Sequence, residues 1–598
     1  MKSVQNILDS RVASAMNAVT GADDCVPLVR PAVDPKFGDY QVNGVMALAK
    51  QIETHPHKLA EDIVKSLDIE DICLEPEIAG PGFINLRLKA DFVSKALLEI
   101  NSDSKKRLGI EQASEPQTVV VDFSSPNIAK QMHVGHLRST IIGDCICRLL
   151  EFLGHNVIRQ NHIGDWGTQF GMLCALFDKK LLLKSGGVKN MKLVSSEEIL
   201  GELEAFYKEA KKLFDSDKDF AETARAAVAG LHSGKGIWNT YWEHIVKYSK
   251  RHYEEIYRKL QVTLTDKDVR GESFYNKMLP DVVAELKSKG LAVESDGAIC
   301  VFPEGFKNKE GEPLPFIIQK SDGAYLYATT DLAALRYRVR ELKVDKITYV
   351  TDARQKLHFE MLFAVAQMAG WVTDDIELIH VTFGTMLGED GKPLKTRSGE
   401  NVKLKELLDE AIERAREVVE EKNPDLSAEK KSNISEAVGI GAVKYADYSN
   451  NRTSDYIFSF DKMLSLDGNT APYMQYAYAR IKSIERKAQT KDVDIETELA
   501  CLKTLEHLDL TEPAELDLAK YLIRYVEAVY AAAADYRPNF LTAYLYELAQ
   551  KFSAFYTNCP VLKAPPDKRP TRLLLCDLTA KTIHHGLSLL GIKVVEQM

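Results

Sequence analysis

The chain has 598 residues, 45% of them hydrophobic and 27% charged, a balance that excludes a disordered or fibrous protein; the length points to about three to five domains. No apolar run reaches the ~18–20 residues of a bilayer span, and the start, MKSVQNILDSRVASAMNAV, reads as an amphipathic helix rather than a signal or transit peptide, so no membrane association and a cytoplasmic location are expected. The net charge of −10 argues against a general nucleic-acid binder, though not against one that works through local basic clusters.

Taken in order, the N-terminal part of the chain reads as a small α/β domain. Helical periodicity covers Gly44–Ile63, and GFINLRL (Gly82–Leu88) alternates like a half-buried strand. The polar stretch NSDSKKRLGIEQASEPQ then reads as a linker. TVVVDF (Thr118–Phe123) is a short β-branched run, hence a buried strand. SSPN breaks it, and from about His133 an apolar stripe through Leu137, Ile141, Cys145 and Leu149 predicts a helix, with Gly154 at its C-terminal cap. NVIRQNHIGDWGTQFG supplies a second strand and a loop. Strand, crossover helix and strand make a βαβ unit, the seed of a doubly wound parallel sheet. From Met172 to about Val301 the pattern predicts inserted helical pieces. Strand-like character returns in FIIQKSDGAYLYATTDLAALRYRV and KITYVTDARQKLHFEMLFAVAQMAGW, and IELIHVTF is a further strand. After the loop GTMLGEDGKPLKTRSGENVKL the chain reads as helix to its end.

Nine scattered cysteines without a C-x-x-C motif predict neither structural zinc nor a disulfide framework. Cys145 and Cys147, two apart in an apolar helical pattern, are expected to be buried free thiols. There is no G-x-G-x-x-G after a strand, and GLHSGKGI (Gly230–Ile237) is one residue short of a P-loop.

The chemistry concentrates in SSPNIAKQMHVGHLRST (Ser124–Thr140). His133 and His136 open a helix at the carboxyl end of a parallel strand, with Lys130 a turn upstream and Gly135 between them. Solvated or capping histidines and a metal site are two readings. No Cys, Asp or Glu stands at ligand spacing nearby, so no metal ligand is assigned. The third reading is a phosphate site, because a helix N-terminus offers unpaired N–H groups and the imidazoles add directed donors. That reading has the most context: open α/β sheets bind ligands at this end. Lys392, Lys395 and Arg397 stand in a second glycine-containing loop, either a solvated turn or a cationic lid for a triphosphate.

HVGH resembles the HIGH signature of class I aminoacyl-tRNA synthetases. SSPNIAKQMHVGHLRSTIIGD with NHIGDWGTQFGML is similar to the arginyl members of that class. KFGDYQVNGVMALAK, GPGFINLRL, YLYATTDLAA, VTDARQKLHFEMLF, FGTMLGEDGKPLKTRSG, APYMQYAYARI and LGIKVVEQM extend the likeness over the chain. The resemblance implies a multidomain α/β plus all-α protein. Residues 1–110 would form an N-terminal α/β domain that meets the tRNA elbow. Residues 111–455 would form a Rossmann-like parallel-sheet catalytic domain with inserted helical segments, and 456–598 a helical-bundle anticodon-binding domain. It implies an arginine–tRNA ligase that uses ATP with Mg2+, makes arginyl-adenylate in a tRNA-dependent step and acts on L-arginine and tRNA(Arg); a monomer is expected.

Matched position by position, the resemblance implies that His133, His136, Lys130 and Lys395 serve catalysis. ATP would meet His133, Gly135, His136, Gly384, Thr385, Met386, Lys395 and Arg397. Arginine would meet Asp122, Ser125, Pro126, Asn127, His136, Tyr327, Asp331 and Gln355. Phe83, Asn85, Tyr473, Tyr476, Tyr478, Arg480, Lys482, Arg486 and Met598 would contact tRNA. The second class signature, KMSKS, is not intact: Pro393, Leu394, Lys395, Thr396 and Arg397 occupy it, and Lys130 is expected to compensate. A small-molecule adenylyltransferase and a non-catalytic tRNA-binding paralogue are the alternatives. The first would not need the helical C-terminal segment, and the second would have lost His133, His136 or Asp331.

Overall fold

The computed structural model describes residues 3–185, 199–200, 202–234, 236–395, 401–490, 493–502 and 505–598. The chain forms two compact units. One gathers Met1–Gln112 with Ser465–Ser588 and Lys593–Met598, and the other holds Ala113–Leu464 and Leu589–Ile592.

A four-stranded, all-parallel sheet lies at the heart of the second unit, in the order Glu377–Phe383, Lys346–Asp352, Thr118–Asp122, Asn156–Gln160. The inner strand is the β-branched run, and Val119, Val120 and Val121 are buried, as a strand covered on both faces requires. The crossover is the helix Leu137–Phe152, so the expected βαβ unit is present. Gly154, at φ 95°, turns the chain out of that helix into the next strand, as its spacing implied. The helix is buried almost all round, because the strand end covers it too: a Cβ on Gly143 would run into the Phe123 ring at 2.2–2.4 Å. Cys145 and Cys147 are both buried, and no disulfide joins any of the nine cysteines.

Between Met172 and Val301 the expected helices include Thr168–Ser185, Leu203–Ser216, Lys218–Ser233 and Ile237–Leu260. The P-loop-like GLHSGKGI falls where one of these helices ends and the next begins; its Lys235 lies outside the described residues. The end of this region is not helical. Ala292–Ser295 and Ala298–Val301 form a hairpin that Phe316–Gln319 extends to a three-stranded antiparallel sheet.

Two segments read as strand-like are each strand, then helix. In the first, only Phe316–Gln319 is extended and Tyr327–Arg340 is α-helical; in the second, Lys346–Asp352 leads to the helix Lys356–Met368. Aromatic and β-branched residues suggested strands, but Leu332, Leu335 and Arg338 bury one face at helical spacing. The single helical pattern over Gly44–Ile63 is likewise two helices, Val45–Gln51 and Pro56–Ser66. Pro56 starts the second, lacking the N–H that would continue the first.

The first unit has a four-stranded antiparallel sheet in the order Val29–Pro31, Tyr40–Val42, Phe83–Leu86, Glu77–Ala79. The same unit holds the C-terminal helices, among them Ala471–Gln489, Tyr525–Ala534 and Pro538–Asn558. A buried polar contact joins sheet to helices: Tyr40 Oη donates to Glu527 Oε1 at 2.7 Å, and the Gln5 N–H donates to the same oxygen at 3.0 Å. Among the described residues no helix is long and apolar enough to cross a membrane.

Candidate active site

A cleft of about 750 Å³ opens at the carboxyl ends of the parallel strands. Of the sequence candidates it collects Asp122, Ser125, His133, Gly135, His136, Tyr327, Asp331 and Gln355, which come from segments far apart along the chain. The turn after the inner strand is backbone-strained. Ser124 and Ser125 have φ of 68° and 43°, a region that costs a residue with a Cβ. Hydrogen bonds hold it there: Ser124 N–H donates to Ser139 Oγ at 2.9 Å, and Ser125 N–H donates to Asn161 Oδ1 at 3.0 Å.

The histidine pair forms a short 3-10 turn, Val134–His136, ahead of the long helix. Gly135 N–H donates to His133 Nδ1 at 3.1 Å, and His133 N–H donates to His136 Nδ1 at 3.1 Å. A backbone N–H can only donate, so His133 Nδ1 carries a lone pair and the neutral His133 ring holds its proton on Nε2; His136 Nδ1 also stands 3.2 Å from His133 O, and that contact suits the other tautomer. Burial, and then the charge of Lys130, pushes the His133 pKa down; burial, then His133, lowers that of His136 to about 4. The turn therefore presents two neutral imidazoles at neutral pH, with the Nε2–H of His133 free to donate. A Cβ on Gly135 would meet the His133 ring at 2.8 Å, so a side chain there would push that ring aside.

The second loop is tied to this turn at both of its ends. At its entry Gly384 N–H donates to Arg452 O at 2.9 Å, Thr385 N–H donates to Asp455 Oδ1, and Met386–Leu387 pairs with Tyr456–Ile457. At its exit Val134 N–H donates to Val402 O and Leu404 N–H to Met132 O, each at 3.0 Å. Arg138, one turn into the histidine helix, completes the link. It forms a buried ion pair with Asp447 at 2.8 Å, donates to Ser454 O at 3.1 Å, and lies over the rings of Phe383 and Tyr456. Met386 is buried and Lys395 is exposed, bridging to Asn401. Arg397 lies outside the described residues. Lys130 is exposed and off the cleft lining, its ammonium 4.6 Å from the centre of the Tyr207 ring.

Another part of the cleft lining is acidic. Tyr327 and Asp331 stand on the first turns of Tyr327–Arg340, and Gln355 and His358 at the start of Lys356–Met368. Asp331 is the fifth residue of its helix, so it does not cap it; its Oδ2 is 2.7 Å from His358 Nε2. Glu272 lines the same wall. Burial, with Asp165 and Asp331 adding to it, pushes its carboxyl up to about 8. Asp122 reaches the cleft with its charge already engaged: the fully buried Arg338 donates to Oδ2 at 2.6 Å, and Ser125 Oγ to Oδ1 at 2.9 Å. Pro126 is buried. Asn127 Oδ1 accepts from Ala129 N–H at 3.0 Å, and neither residue lines the cleft. Sequence reasoning did not single out Glu272 or His358. His358 follows Gln355 at i+3, a helical spacing that could have found it; Glu272 sits in a four-residue helix that has no periodic signal.

In the other unit, Ala471–Gln489 presents Tyr476 at its surface, with Arg480 Nη2 donating to its hydroxyl at 2.9 Å and the guanidinium 4.8 Å from its ring. Tyr473 packs against Tyr546, and Arg480 also lies 5.8 Å from the Tyr556 ring. Of Pro538–Asn558, Tyr544, Leu548, Phe552 and Phe555 are core, and half-buried Tyr546 and Tyr556 join the surface cluster. Tyr478 is buried, Lys482 pairs with Glu485 at 2.9 Å, and Arg486 donates to Glu596 O at 3.0 Å. Met598 and Phe83 are half-buried. Asn85 is 4% exposed and accepts from Gln41 inside its sheet, which leaves little of it for a partner to reach.

Comparison with known proteins agrees with this geometry. The family described as tRNA synthetases class I (R), catalytic domain, matches residues 98–460; the arginyl-tRNA synthetase N-terminal domain matches 4–88, and the DALR anticodon-binding domain matches 474–598. The chain is 49% identical to the arginine–tRNA ligase of Hahella chejuensis over 595 residues, covering all of both chains. It is 51% identical to that of a Synechococcus strain over 581 residues, 96% of this chain and 95% of the other. The crystal structure of the Plasmodium falciparum arginyl-tRNA synthetase superimposes with a TM-score of 0.83 at 31% identity, with full coverage of both chains. A parallel-sheet cleft lined by paired imidazoles and by carboxylates, together with matches along its whole length, places this chain in the class I arginyl-tRNA synthetase family.

Proposed function

We propose that the two ends of this cleft divide the first step of arginine–tRNA ligation between them. The chain joins arginine to tRNA using ATP. In our reading the Nε2–H groups of His133 and His136 donate to the ATP phosphates, and their bonds strengthen as charge develops at the α-phosphorus. Thr385 and Met386 carry the loop that covers the nucleotide, and Lys395 and Lys130 add positive charge. Mg2+ brought in on ATP would neutralise part of the phosphate charge; among the described residues no cluster of three or more His, Cys, Asp or Glu stands to hold it, so the phosphates themselves would be its main ligands. The guanidinium of arginine is held by Asp331, Glu272 and Tyr327, a fork of acceptors that a lysine ammonium cannot satisfy. With both substrates held, a carboxylate oxygen of arginine attacks the α-phosphorus in line, the bond to the bridging oxygen breaks, and pyrophosphate leaves. The ribose hydroxyl of the tRNA 3′-terminal adenosine then takes the arginyl group, and AMP leaves.

The observation that carries this reading is the pairing of neutral imidazole donors with a carboxylate cluster in one cleft. Aminoacylation and ATP–pyrophosphate exchange with each amino acid, with and without tRNA, test it. Charging with arginine alone, and exchange that needs tRNA, are expected. Asp331→Asn should raise the arginine KM far more than the ATP KM; equal effects would count against the assignment. Lys130→Ala should lower the activation rate and leave arginine affinity unchanged. The nine free thiols suit a reducing compartment. A cytoplasmic monomer is the state we propose, and light scattering of the purified protein checks its mass.

A further inference from the structure

Asp331 and His358 belong to different helices, Tyr327–Arg340 and Lys356–Met368, and meet across the acidic wall of the cleft. His358 Nε2 lies 2.7 Å from Asp331 Oδ2. A carboxylate oxygen accepts, so the imidazole donates. No other hydrogen bond to the Asp331 side chain occurs among the described residues. The imidazole is itself held: the Phe316 ring, from the antiparallel sheet, lies 5.6 Å away at 31°, and Phe359 stands edge-on at 5.4 Å. Two other elements thus meet this ring, whose polar contact among the described residues is the Asp331 carboxylate.

We infer that His358 is a positioning residue for arginine recognition: by occupying Oδ2 it fixes the plane of the Asp331 carboxylate and leaves Oδ1 for a guanidinium N–H. This rests on the reading of Asp331 as a guanidinium acceptor. A guanidinium is planar, and its bonds to a carboxylate are strong only when the two planes agree. A free Asp side chain turns about its last torsion and loses that agreement; one pinned by an imidazole is set before the substrate arrives. The effect concerns arginine, not ATP, because in the proposed reading the phosphates face the histidine turn Val134–His136, which belongs to other elements of the lining.

The test compares the full-length wild type with His358→Ala, His358→Gln and Asp331→Asn. The readouts are the arginine Kd by calorimetry, and kcat and both KM values in aminoacylation; circular dichroism confirms folding. His358→Ala should weaken arginine about ten-fold in both Kd and KM, with kcat and ATP KM changed by less than about two-fold. His358→Gln, whose amide N–H can reach the same oxygen, should recover to within about three-fold of wild type. If His358→Ala raises the two KM values equally, or if the glutamine variant is no better than the alanine variant, the ring only packs against Phe316 and the inference fails. If Asp331→Asn weakens arginine and His358→Ala does not, this inference alone is overturned. If Asp331→Asn leaves arginine binding unchanged, the reading of the acidic wall falls, and this inference with it.

Discussion

Glu272 holds its proton where an ordinary carboxyl would have lost it. Its carboxyl stands at about 8, chiefly because it is buried and then because Asp165 and Asp331 lie close by. A guanidinium arriving beside it favours the ionised form. Arginine binding at neutral pH should therefore release close to one proton, and affinity should rise with pH until about 8. Calorimetry at pH 7 in buffers of different ionisation enthalpy reads this directly: the apparent enthalpy should vary with the buffer, and Glu272→Gln should remove that variation. The free enzyme behaves in the opposite sense. Between the ordinary carboxyl value of 4.5 and about 8 the folded state binds more protons than the unfolded one, so this group's contribution to stability is greatest below that window and is lost as pH rises through it. Saturating arginine should flatten the loss. None of this was legible in the sequence. A glutamate in GESFY carries no mark of its burial, whereas His133, His136, Tyr327 and Asp331 stood in motifs long enough to identify.

At the scale of elements, the histidine helix and the second loop are linked by the segment from Asp447 to Phe458. That segment pairs with Met386–Leu387, receives the Thr385 N–H on Asp455, and takes Arg138 into the ion pair with Asp447. Both members of the pair are at most 2% exposed. Burial raises the Asp447 carboxyl and the Arg138 guanidinium acts to lower it, so the partners depend on one another. Asp447→Asn keeps the shape and leaves a guanidinium buried without its counter-charge. It should destabilise the catalytic unit by about 3–5 kcal/mol. Chemical denaturation measures this, and a loss below about 1 kcal/mol would mean that the pair contributes little. The sequence revealed the helix and the loop because each carries periodicity or a glycine-rich signal. It did not reveal what joins them, because an arginine in an amphipathic helix and an aspartate in a distant part of the chain share no local pattern. The strand-to-helix changes after Gln319 and Asp352 were hidden for a related reason: aromatic residues that suit a strand are here packed by tertiary contacts onto one helical face.

At the scale of the whole molecule, the parallel sheet and the helical C-terminal segment were readable from β-branched runs and 3.6-residue stripes. That Met1–Gln112 and Ser465–Ser588 share one compact unit was not, because contacts across such a separation leave no periodic trace. The same scale poses the question of RNA binding, since the chain carries a net charge of −10 and must attract a polyanion locally. Tyr473, Tyr476, Tyr546, Tyr556 and Arg480 gather aromatic rings around one guanidinium, and we propose this cluster as the local contact for RNA. Such a face binds unstacked bases through its rings and a phosphate through its charge. Substituting Arg480 by Gln removes the charge and leaves the rings, so the two contributions separate. The KM for tRNA should rise about 5- to 30-fold at physiological salt, and the salt slope of tRNA binding should fall by about 0.7, the share of a single lost phosphate contact. Arginine and ATP KM values should stay as they are. Tyr476→Ala, in contrast, should weaken tRNA with no change of slope, because stacking releases no counterions. A slope unaltered in the Arg480 variant would mean that this cation meets a base or its own tyrosines rather than the backbone of the RNA.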